Sequence, residues 1–232
     1  MILYPAIDLK DGKAVRLLRG DMNKSTVFNN SPINQALSFV KHRCQWLHLV
    51  DLNGAFEGQP INANAVEEII NGCNVPVQLG GGIRNVSHAK KCFDNGADKI
   101  LINYLAHFDS DGCKKISNIY GEQAISIMVD YKKEQNEINT YTNSGTTFSK
   151  SLKDFIISTK KIKFGELIMN SIDKDGTAAG PDLDCLKTIS EDFTNPILIM
   201  GGAGKPEHFS NILNNKKVSG IITANLFNFL GS

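Results

Sequence analysis

Two aspartates stand where short apolar runs end: Asp8 in AIDLKDG and Asp130 in MVDYKKE. A carboxylate at the carboxyl end of a buried strand lies where such folds keep catalytic groups. Two that face one ligand can divide proton transfer, one protonated as general acid and one ionised as base. Capping of the local loop is the competing reading for each. Two glycine clusters, Gly80, Gly81, Gly82 and Gly201, Gly202, Gly204, end two further apolar runs. Glycine lets backbone N–H groups approach an anion closely, and a helix that follows adds its positive dipole. One strand after each cluster comes a small polar strand end, Asn103 in the first case and Ala224–Asn225 in the second. Their pairing favours two phosphate sites over two plain turns. Asp175–Gly176–Thr177 offers a backbone and hydroxyl cradle for the second phosphate, and Arg84 follows the first cluster closely enough to add charge or to stand solvated at a helix start.

These groups need a frame. Eight apolar, β-branched runs recur along the chain, beginning at Ile2, Trp46, Pro76, Lys99, Ala124, Glu166, Pro196 and Gly220. Continuous apolarity suits strands buried on both faces, and segments of helical period lie between them, such as INQALSFVKH, NANAVEEIING, VSHAKKCFDNG and SLKDFIISTKK. Eight strands alternating with helices predict a single α/β domain over 1–232, a closed (β/α)8 TIM barrel. The halves also answer each other. Asp8 matches Asp130, and Asp51, Gly54 and Gly58 match Asp173, Gly176 and Gly180, all at an offset of 122. Gly80 and Gly81 match Gly201 and Gly202 at 121, so half-barrels of about 1–120 and 121–232 are expected. A twofold barrel should bind a ligand with similar groups at both ends, with Asp8 and Asp130 on opposite sides of its mouth. Asp51 and Asp173 each begin a glycine-containing turn and read as loop caps.

Composition narrows the partners. Lysine and arginine number 25 against 24 acidic residues, a net charge of +1, which gives no field to draw the chain to nucleic acid or a membrane surface. No apolar run reaches a membrane span and no leader is evident, so a cytoplasmic protein is expected. Five cysteines without a CxxC pair suggest buried thiols, and histidines 42, 48, 88, 107 and 208 without common spacing suggest no metal site. No cofactor is called for. Trp46 and His48 read as core. The run after Asn225, LFNFLGS, is too short for a full closing helix, which predicts an open groove and self-association through it.

The segments PAIDLKDGKAVRL, RGDMNKSTVF, WLHLVDLNGAFEG and VPVQLGGGIR resemble the first half of the HisA family, the phosphoribosylformimino-aminoimidazole carboxamide ribotide isomerases of histidine biosynthesis. After about Arg84, GADKILIN, YGEQAISIMVDYKK, GELIMNSIDKDGT and MGGAGKPEHF look more like HisF, the cyclase subunit of imidazole glycerol phosphate synthase. Both families are twofold barrels that act on the same kind of bisphosphate sugar ligand. The HisA resemblance implies an Amadori isomerase in which Asp8 is the general base and Asp130 the general acid. It implies one phosphate at Gly81, Gly82 and Asn103, and the other at Asp175, Gly176, Gly202, Ala203, Ala224 and Asn225. The HisF resemblance implies instead a cyclase fed with ammonia by a glutaminase partner. A third reading is a recombined barrel that binds phosphates with little turnover.

Three features depart from those families. Asn170 stands where both usually have threonine, and the segment after strand five, KKEQNEINTYTNSGTTFSK, lacks the tryptophan with which HisA stacks its substrate. Of the four residues of the HisF ammonia gate, Lys99 and Glu166 match, while Ile2 and Trp46 replace the others.

Overall fold

A computed structural model describes residues 1–18, 21–135 and 137–224. Eight parallel strands close into a barrel: β1 (Ile2–Lys10), β4 (Leu47–Asp51), β5 (Val77–Gly80), β6 (Lys99–Ile102), β7 (Ile125–Glu134), β10 (Glu166–Ser171), β11 (Ile197–Met200) and β12 (Val218–Thr223). Closure comes from pairing of β12 with β1 and of β7 with β10. All eight runs anticipated from the sequence are barrel strands.

Their continuous apolarity has a direct cause, since alternate residues face two different cores. Tyr4, Ala6, Leu101, Ile168, Leu198 and Ile222 fill the barrel. Their neighbours, among them Ile7, Leu49, Leu79, Ile100, Ile127 and Met169, pack outward against the helices. Leu49 is fully buried, and truncating such a leucine to alanine costs roughly 2–5 kcal/mol.

Four helices begin where a side chain satisfies one of their first N–H groups. Asp51 caps α2 (Leu52–Glu57), Asn85 caps α4 (Val86–Asp94), Asp109 caps α6 (Ser110–Tyr120) and Ser151 caps α7 (Leu152–Thr159). Helix α1 (Pro32–Lys41) places Pro32 in its first turn, where a missing N–H costs nothing. The remaining helices are α3 (Ala63–Gly72), α5 (Tyr104–Phe108) and α8 (Glu207–Leu213). Between β10 and β11 the alternation gives only a 3₁₀ turn, Asp184–Thr188.

The segments that follow β1 and β7 fold as hairpins. After β1 come β2 (Lys13–Leu18) and β3 (Asp21–Asn29), and after β7 come β8 (Glu137–Thr142) and β9 (Thr147–Ser151), all antiparallel. Each hairpin extends the strand that carries a candidate catalytic aspartate, so the twofold repeat reaches beyond the barrel. The expected short closing helix, with its groove for self-association, falls on 225–232 and lies outside the described residues, as does Asn225. Among the described residues no helix is long and apolar enough to cross a membrane, and no group of three or more His, Cys, Asp or Glu is arranged to hold a metal ion.

Candidate active site

Asp8 and Asp130 line one cavity at the carboxyl end of the barrel, together with Gly81, Gly82, Asn103 and Asp175. An adjoining cavity shares Asp8 and Asp175 and is lined by Gly202, Ala203 and Ala224. The fold therefore brings most of the residues expected at the site to one mouth, with a glycine loop on either side.

The two loops are built alike. Gly81 and Gly82 have φ values of 106° and 72°, and Gly201 and Gly202 have 92° and 87°, a left-handed conformation that side chains resist. A Cβ on Gly81 would run into the Asp51 carbonyl, and one on Gly202 into the Gly180 carbonyl. By backbone conformation Gly81 thus corresponds to Gly201, an offset of 120 where the sequence comparison suggested 121. The same register pairs His88 with His208, against the expectation that the histidines share no spacing. His88 Nδ1 lies 2.9 Å from the Gly82 carbonyl oxygen and 3.5 Å from the Arg84 backbone nitrogen, and His208 Nδ1 lies 3.2 Å from the Gly204 backbone nitrogen. Each ring thus braces its glycine loop from the helix that follows, so the common spacing reflects loop support.

Electrostatics set the aspartates apart from ordinary carboxylates. Asp8 is pushed up to about 7, first by burial and then by the Asp175 charge, with Arg16 pulling the other way. Asp130 is raised to about 6 by burial, offset by a hydrogen bond from Asn170. Asp175 is also raised by burial, while Arg16 and the Gly176 N–H oppose the shift. Two carboxyls near neutrality in one cavity can exchange protons with a ligand at physiological pH.

Arg16, on β2, is the residue that sequence reasoning missed. It lines the adjoining cavity beside Gly202, its Nη1 is buried without a hydrogen-bond partner, and its only signal in the sequence is a lone cation inside the apolar run AVRLL. A half-buried guanidinium with one buried N–H group lacking a partner, beside a glycine loop, suits a phosphate. Arg84 lines the main cavity with Gly81 and Gly82; its Nη2 donates to Asn143 Oδ1 (2.9 Å), and its guanidinium lies 4.8 Å from the Tyr104 ring centroid. Charge is thus held at the rim of the first loop.

Asn103 turns its side chain to Asp130, with Nδ2 3.1 Å from Oδ2, which leaves its backbone for an anion. Gly176 and Thr177 line neither cavity. The Thr177 hydroxyl donates to the Lys174 carbonyl (2.7 Å) and closes its own turn. Asp51 is a cap, as expected, accepting from the N–H groups of Gly54, Ile61 and Asn62 and from Asn62 Nδ2. Asp173 likewise accepts from the Lys133 N–H.

Beneath the cavity, at the amino end of the barrel, Lys99 and Glu166 form a buried ion pair at 3.0 Å, with Lys99 lying over the Trp46 ring and Ser126 donating to Glu166. Higher in the barrel, burial drives the His48 imidazole down to about 3, so it stays neutral, paired with Gln78 at 2.8 Å. His48 is fully buried, and Trp46, partly buried, packs against the core inside the barrel.

Comparison with known proteins agrees with this architecture. A family profile described as histidine biosynthesis protein matches residues 2–231. A protein of Ruegeria sp. (strain TM1040), named 1-(5-phosphoribosyl)-5-((5-phosphoribosylamino)methylideneamino) imidazole-4-carboxamide isomerase 2, is 40% identical over 215 residues, covering 89% of this chain and 85% of its own. Proteins named as the same isomerase from Caulobacter sp. (strain K31) and Roseobacter denitrificans are 38% and 34% identical, over 87% and 96% of this chain and 82% and 92% of theirs. The similarity runs well past Arg84, so it does not divide the chain between two families. Twofold glycine loops, paired aspartates and a profile that spans nearly every residue lead to one conclusion: the chain belongs to the histidine biosynthesis protein family.

Proposed function

We infer that this chain is an aminoaldose–aminoketose isomerase, which carries out the Amadori rearrangement of a bisphosphorylated phosphoribosyl imidazole carboxamide. The observation that carries the reading is Asp8 and Asp130 sharing one cavity between two like glycine loops, in a chain whose relatives are named as that isomerase. One phosphate would sit at Gly81 and Gly82 with the Asn103 backbone, the other at Gly202, Ala203 and Ala224 facing Arg16. Asn225 and the turn at Asp175–Gly176 complete the second set on this reading.

The chemistry is internal to the substrate. Asp130 gives its proton to the ring oxygen, the glycosylamine nitrogen pushes in its lone pair, and the carbon–oxygen bond breaks to leave a protonated Schiff base. Asp8 then removes the proton from C2, and the electrons move through C1 to nitrogen to give an enolamine. Return of a proton to C1 and loss of the enol proton yield the aminoketose, with nothing oxidised or reduced outside the sugar. The electrostatics suit these roles. Burial raises both carboxyls toward neutrality, Asp8 to about 7 and Asp130 to about 6, so each can hold or release a proton near physiological pH.

A cyclase would need ammonia from a glutaminase to enter through the amino end of the barrel, where Lys99 and Glu166 are paired beneath Trp46. The isomerase needs no such partner. On the same reading the enzyme works in the cytoplasm, where its five free thiols stay reduced. Incubation with the aminoaldose bisphosphate, followed by carbon NMR, should show a new ketone carbon; substrate left unchanged by folded protein would reject the reading.

A further inference from the structure

Strand pairing places Asn170 of β10 directly opposite Asp130 of β7. Its Nδ2 donates to Asp130 Oδ1 at 2.7 Å, while Asn103 Nδ2, from the end of β6, donates to Oδ2 at 3.1 Å. Both oxygens of a half-buried carboxylate therefore receive amide N–H groups, which fixes the plane of the group and stabilises the anion that forms when its proton leaves. The other end of the Asn170 amide is unspent. The residue is 8% exposed and lines the main cavity, and its Oδ1 is buried without a partner. Gly201 keeps the space beside it open, since a Cβ there would stand 3.3 Å from Oδ1. A buried carbonyl left unpaired is costly unless a ligand completes it.

We infer that Asn170 positions Asp130 for proton transfer: its amide N–H holds the carboxylate, and its unpaired carbonyl receives a hydroxyl of the bound sugar. The second half rests on the isomerase reading, whereas the first does not. Other groups around Asp130 do not replace this contact. Asp175, from the turn after β10, adds like charge. Asp8 on β1 and Arg16 on β2 couple to Asp175. Tyr141 on β8 presents only its backbone carbonyl, 3.5 Å from Asn103 Nδ2, because its hydroxyl is taken by Glu134. On this account the asparagine, which stands where the resembling families carry threonine, supplies both a donor to Asp130 and an acceptor facing the cavity.

The test compares Asn170→Leu, which removes both functions at similar volume, with Asn170→Thr, which returns a hydroxyl donor without the carbonyl. The first readout is the carboxyl carbon-13 titration of Asp130 in the free protein, assigned with Asp130→Asn. Asn170→Leu should move the midpoint up by about one pH unit, a tenfold weaker acid. Asn170→Thr should bring it back. In turnover, Asn170→Leu should lower kcat by about ten- to a hundredfold, and Asn170→Thr should restore most of kcat while KM stays several times above the parent. Should the leucine variant not fold, Asn170→Ala carries the same expectations. An unmoved midpoint in Asn170→Leu or Asn170→Ala, or no recovery in Asn170→Thr, overturns the donor role. A threonine variant with parental KM overturns the carbonyl role. A parent protein without turnover would instead reject the isomerase reading, and the titration would still decide the donor role.

Discussion

Arg84 and Asn143, 59 positions apart, are joined across the barrel mouth by a hydrogen bond of 2.9 Å from Nη2 to Oδ1. The bond ties the glycine loop after β5 to the tip of the β8–β9 hairpin, where Asn143, Ser144 and Gly145 all have positive φ. Such a tip is held by what it touches, because its own backbone is strained. Arg84→Met should raise KM roughly three- to tenfold with little change in kcat, the loss of one partly exposed charged hydrogen bond. Faster proteolytic cleavage at the tip should accompany it, and steady-state kinetics with limited proteolysis measure both.

The pH dependence of kcat/KM should be a narrow bell. Asp8 near 7 and Asp130 near 6 put both limbs close to neutrality, with the maximum between them. The two limbs belong to the pair, since either carboxyl can hold the single proton. Activity measured from pH 4 to pH 9 should therefore fall tenfold per unit beyond each limb. A flat profile down to pH 5 would mean that neither aspartate is held as described.

Asp8 should cost stability for the sake of function. Its folded value lies near 7 against 3.8 for the ordinary carboxyl, so the folded state holds the proton more tightly than the unfolded chain. Stability from this group is full below about pH 4 and is lost as pH rises to about 7. Asp8→Asn removes that penalty. The variant should be more stable than the parent at pH 8, by at most about 4 kcal/mol, and equal to it near pH 4. Urea unfolding at the two pH values measures the difference.

Gly202→Ala tests the second loop. The added methyl meets the Gly180 carbonyl while φ stays at 87°, so the loop must shift or strain. A loss of about 1–3 kcal/mol is expected, with weaker inhibition by inorganic phosphate and a raised KM. Thermal unfolding and phosphate inhibition report the two effects separately.

The barrel was legible because each strand is buried on both faces, as in LHLVD of β4 and ILIM of β11, where a run of apolar residues leaves little ambiguity. The hairpins were not. Strand β3, DMNKSTVFN, has no residue of the buried class, so it carries no apolar period to read. Asp8, Asp130 and the glycine loops were visible through the internal repeat. Arg16 was not, because its meaning comes from β2 folding back beside β1 and placing it against a loop nearly two hundred residues away. Asn170 appeared only as a departure. Its partner across β7 and β10 emerges from strand register. Asn103 was found as a site residue, but its amide faces Asp130, a choice fixed by side-chain geometry.

The central claim is that Asp8 and Asp130 move the protons of an aminoaldose–aminoketose rearrangement. It is tested most directly by measuring conversion of the aminoaldose bisphosphate by the parent, Asp8→Asn and Asp130→Asn, with substrate binding measured in parallel. The parent should convert the substrate, and each variant should bind it within a few-fold of the parent but turn over at least a hundredfold more slowly. No conversion by the parent, or a variant that keeps the parental rate, would contradict it.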